Sequence, residues 1–151
     1  MLRTRLVAAA AAFVFTAGVA SAELATWDQK RVEKYAKELT TATGELRQAF
    51  DAIGIQNQAQ QNAMFQVKDT VKMLDTAAGG LAESLANGKG RDETMPRYKR
   101  VEALRRDAEL EGRSADIPEA VFEKVFSVGS ALLKLRPYYV EEPAPDAKPA
   151  K

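Results

Sequence analysis

Apolar residues recur at steps of three and four along most of the chain, and no stretch alternates with period two. Val32, Tyr35, Leu39, Ala42, Leu46, Ala49 and Ile53 form one such seam. Met64, Val67, Val71, Leu74, Ala78, Leu81 and Leu85 form a second. Each seam gathers one face of an α-helix, and its heptad spacing predicts coiled-coil packing at a shallow angle. Thr26 and Gln29 have the spacing of a capping box ahead of the first helix. Gly54 offers a left-handed stop behind it, with Ile55 placed to fold back on Phe50. Asn57 can cap the second helix and Asn87-Gly88 end it. So short a link predicts an antiparallel pair.

Two further helices follow. Thr94-Met95-Pro96 opens the third, with proline in the first turn where no N–H is needed. Its apolar side is Tyr98, Val101, Leu104 or Arg105, and Ala108, and Gly112 ends it. Asp116 opens the fourth, which carries Val121, Phe122, Val125, Phe126, Val128, Leu132, Leu133 and Leu135 and closes at Pro137. The expectation is an all-α, antiparallel up-down four-helix bundle with a long N-terminal helical hairpin and two shorter helices. At 1.5 Å per residue the first two helices would each be ~40 Å long and the last two only ~25–29 Å. That mismatch leaves the hairpin tip near Gly54 uncovered.

The ends of the chain read differently. Residues 1–22 place Arg3 and Arg5 before an apolar run and finish in Ala20-Ser21-Ala22, the pattern of a bacterial secretory signal peptide cleaved after Ala22. The run is too short to span a bilayer, so no integral membrane segment is expected after cleavage. Residues 140–151 hold three prolines and little to bury, and read as a disordered tail. The bundle domain is therefore 23–139, in a periplasmic or secreted protein. Cleavage removes two arginines and no acid, turning the net charge from +1 to −1.

Composition then narrows the chemistry. The chain has no Cys and no His, which removes disulfides, thiolate metal sites, the commonest general base and the commonest metal ligand. The bundle shape resembles the periplasmic four-helix cytochromes, but the axial histidine that family uses is missing. Near-neutral charge and sparse aromatics give no footprint for nucleic acid. Between Lys89 and Arg113 eight basic and six acidic residues can pair along the helix, as at Glu102–Arg106 and Arg105–Glu109. No catalytic, cofactor-binding or metal-binding residues are assigned.

The candidate site is a protein-binding one. Phe50, Ile53, Ile55 and Phe65, with Gln56 and Gln60 beside them, would form an apolar cluster at a protruding tip. Such clusters rimmed by polar groups mark interaction sites. Gly79-Gly80, inside the second seam, provide either close packing or a hinge. The expected function is a non-enzymatic adaptor or chaperone-like role toward an envelope protein, with a homodimer as a further expectation. One alternative is a carrier holding a small apolar ligand among Tyr35, Phe122, Phe126 and Leu132. Another is a carboxylate-based hydrolase.

Overall fold

A computed structural model describes residues 23–54, 58–115 and 117–141. These form four helices and, among the described residues, no strands: α1 (Gln29–Asp51), α2 (Gln58–Ala86), α3 (Arg91–Ser114) and α4 (Glu119–Tyr139). No helix among them is long and apolar enough to cross a membrane. Residues 1–22, expected to be a signal peptide, and most of the tail lie outside the described residues.

The two seams pack as their spacing requires. All seven seam residues of α2 are buried, and in α1 so are Val32, Leu39, Ala42 and Leu46. Fully burying one such leucine stabilises a fold by about 1.5–3 kcal/mol. Polar contacts fix the register. Buried Thr43 donates to Asp75 Oδ1 at 2.9 Å, and Arg47 meets Asp75 Oδ2 at 3.1 Å, joining α1 to α2. Lys124–Glu45 and Lys134–Glu38, at 2.8 and 2.7 Å, join α4 to α1. In the α1–α4 pair, residue numbers fall along one helix as they rise along the other. The threonine-rich stretch of α1 remains helical because Thr40 and Thr41 turn their hydroxyls back to the carbonyls of Ala36 and Lys37.

The helix lengths correct the expected mismatch. α1, α2, α3 and α4 have 23, 29, 24 and 21 residues, so at 1.5 Å per residue α3 is as long as α1. α3 starts at Arg91 because the Glu93 carboxylate accepts from the Gly90 N–H and the Gly90 carbonyl receives the Thr94 N–H. At its other end it runs past Gly112 to Ser114. α4 opens at Glu119, with Pro118 as its cap residue, and continues through Pro137 to Tyr139. Phe50 is buried in the same core cluster as Ala115, Ile117 and Val121, while Ala52 and Gly54 are exposed and residues 55–57 lie outside the described residues.

Caps explain the remaining boundaries. Asp28 rather than Thr26 caps α1, accepting from the Arg31 N–H at 3.1 Å. The Gln29 side chain is engaged elsewhere, accepting from the Trp27 indole and donating to the Leu85 carbonyl at 2.6 Å. α2 ends as expected at Gly88, whose φ of 77° is the left-handed geometry. Lys89 N–H donates to Ser84 O and Gly88 N–H to Leu85 O, the paired bonds of a Schellman stop.

One end of the bundle gathers the single tryptophan and all four tyrosines. Tyr98 stacks on Tyr139 with centroids 4.3 Å apart, and Trp27 meets Tyr138 and Tyr139 edge-on. Arg91 lies over the Trp27 ring. The Ala25 N–H donates to the Pro137 carbonyl at 2.8 Å, tying the segment before α1 to the end of α4.

Candidate functional site

α1 packs against α2 and α4, and α2 against α3. α3 and α4 touch each other least, so that side of the bundle stands open. The opening is a groove of about 510 Å³. Ala108 and Gly112 of α3 and Ile117, Val125 and Leu132 form its apolar lining, and Phe122, Phe126 and Leu133 of α4 stand along its edge. Phe126 is 77% exposed, Leu133 62% and Phe122 44%. Three large apolar side chains left in solvent at positions i, i+4 and i+11 of one helix make a stripe rather than scattered exposure.

The rim is charged in both signs. Glu109 receives Arg105 at 2.9 Å and Arg113 at 2.6 Å. The Arg113 hydrogen bond, more than any other influence, holds its carboxyl below the ordinary value. The expected Glu102–Arg106 pair is replaced. Glu102 instead accepts from the Tyr98 hydroxyl at 2.9 Å, because Tyr98 is buried and its hydroxyl needs a partner. Arg136, exposed at the groove's other end, makes no ion pair among the described residues. The groove carboxylates Glu102 and Glu109 are thus each engaged by a neighbour on α3, which gives the groove an apolar floor and a polar rim.

Among the tip residues whose side chains are described, Phe50, Ile53 and Phe65 do not share one exposed surface. Phe50 is 2% exposed and sits in the core, which corrects its assignment to a binding surface. Ile53 is half-buried against the same core. Phe65 is 72% exposed, on the flank of α2 rather than at the apex, beside Arg47, Asp51 and Lys68. Ile55 and Gln56, and the side chain of Gln60, lie outside the described residues.

α2 runs as unbroken helix through Gly79 and Gly80. A Cβ on Gly80 would come within 2.9 Å of Arg97 Nη1, whereas one on Gly79 would meet nothing within 4 Å. A side chain at Gly80 would displace only the far end of the exposed Arg97 side chain.

The interior proposed for a ligand is also corrected. Phe122, Phe126 and Leu132 line the α3–α4 groove, while Tyr35 pairs with Tyr138 on the α1–α4 side, so the four do not line one interior space. The sequence did contain a signal for the outer stripe. At 100° per residue, Phe122, Phe126 and Leu133 fall roughly 120° from the core stripe of Val121, Val128, Leu132 and Leu135. No family model, curated protein or solved structure matches the chain.

Proposed function

We propose that this chain is an exported, antiparallel up-down four-helix bundle that works without catalysis, by holding a helix of another polypeptide against the α3–α4 groove. The observation that carries this is the exposed stripe of Phe122, Phe126 and Leu133 beside an apolar channel bounded by two helices. From Phe122 to Leu133 the stripe is ~16 Å long, three turns, the length over which an amphipathic helix places its i, i+4 and i+7 anchors. The charged rim would fix orientation rather than supply affinity. An adaptor or chaperone-like role toward an envelope protein agrees with the signal-like segment 1–22.

The test is a photoreactive residue at Ser130, which lines the groove, introduced in cells expressing the full chain. A protein adduct that Phe126→Asp abolishes supports the reading. No adduct, or one indifferent to that change, overturns it. N-terminal sequencing of the purified protein should begin at Glu23.

A second reading keeps the groove and changes its occupant to a small apolar molecule, since about 510 Å³ falls in the range of ligand sites. Native mass spectrometry that finds a bound small-molecule mass, absent from Phe126→Asp, would favour it.

A further inference from the structure

Resting on the reading of the α3–α4 side as a helix-binding face, we infer that its occupant is α4 of a second copy of this chain, packed antiparallel about a two-fold axis.

The outer face of α4 is complementary to itself. Phe122, Phe126, Gly129 and Leu133 follow one another at steps of four, three and four, so they share an arc of about 60°. An axis between Ser127 and Val128 sets Phe126 level with the second copy's Gly129 and Phe122 level with its Leu133. Gly129 has open space where its Cβ would lie, with nothing within 4 Å. That vacancy on one copy matches the most exposed phenylalanine on the other, the shape relation that an isologous contact requires.

Charge agrees with the same direction. The N-terminal half of α4 exposes Glu119 and Glu123, and its C-terminal half exposes Lys134 and Arg136. Antiparallel pairing brings the second copy's Arg136, which makes no ion pair among the described residues, level with Glu119, whereas Lys134 is held by Glu38 of its own chain. A parallel pairing would set glutamate against glutamate. It would also align the helix dipoles, which the antiparallel pairing opposes.

Size-exclusion chromatography with light scattering on the full chain as purified reads the result. A dimer is expected for the wild type. Phe126→Asp and Gly129→Leu should each run as monomers with unchanged far-UV circular dichroism. Gly129→Leu carries particular weight, because leucine favours helix and has room to fold, so only the contact suffers. Since the chain has no cysteine, register can also be read directly. Phe122→Cys mixed with Leu133→Cys should cross-link through a short bis-maleimide. Leu133→Cys alone should not, its two copies being separated by ~16 Å along the axis. A monomeric wild type, a dimer indifferent to both substitutions, or cross-linking of Leu133→Cys alone overturns the inference. A monomer that still gives a Phe126-dependent adduct from Ser130 would leave the groove reading standing with a different partner.

Discussion

Tyr98 is fully buried, and burial first, then its hydrogen bond to Glu102, raises its hydroxyl above the ordinary pKa of 10.0. Tyr139, stacked upon it, is raised by burial as well. A phenol whose folded pKa exceeds its unfolded value contributes stability that is complete below the unfolded value and declines as pH rises through the folded one. Stability should therefore begin to fall as pH rises past 10, with Tyr98 contributing at most about 1.4 kcal/mol per pH unit. Urea titrations at several alkaline pH values should show a shallower fall in Tyr98→Phe than in the wild type. Gly79 makes the opposite case, a residue the fold does not require. With nothing near its Cβ position, Gly79→Ala should stabilise the protein by about 1 kcal/mol in denaturant unfolding.

At the scale of elements, α4 is held to α1 by Lys134–Glu38 and Lys124–Glu45, both at the surface. The Lys134 hydrogen bond holds the Glu38 carboxyl below its ordinary value. A depressed carboxylate contributes stability above its unfolded pKa and loses it as pH falls through the folded one. Acid should thus weaken the α1–α4 seam. The pH at which thermal melting begins to drop should be less acid-sensitive in Glu38→Gln, although that variant starts from a lower or equal stability. The same elements show what sequence could reveal. The seam of α2 was readable residue by residue, because one heptad stripe on an otherwise polar helix has only one face to bury. α4 carries two apolar stripes, and periodicity alone cannot say which of them meets the core. Boundaries failed where a distant group decided them. Gln29 is drawn away from capping by the Leu85 carbonyl, and α4 outlasts Pro137 because Tyr138 and Tyr139 are buried beside Trp27. Phe50 was misread as a tip residue although it stands four residues beyond Leu46, on the stripe that α1 buries.

For the whole molecule, the buried core and the proposed binding stripe lie on different sides of α4. Leu81 is buried, and Leu81→Ala should cost about 2–5 kcal/mol of unfolding free energy. Leu133 is mostly in solvent, and Leu133→Ala should change the monomer's stability by only about 0.5 kcal/mol while weakening association through the groove. Concentration-dependent melting would separate these effects, since only a contact between chains makes the midpoint rise with protein concentration.

The gathering of Trp27 and the four tyrosines at one end means that the chain's near-ultraviolet absorption and intrinsic emission come almost wholly from that end. Tryptophan fluorescence is a local gauge of the junction where α1 begins and α4 finishes. The opposite end, with Phe50, Ile117 and the mouth of the groove at Phe122, is optically dark. If it loosens first on heating, fluorescence will remain silent while the far-ultraviolet helix signal has already begun to fall. Lag between the two probes would be a direct measure of how independently the two ends of this bundle hold together.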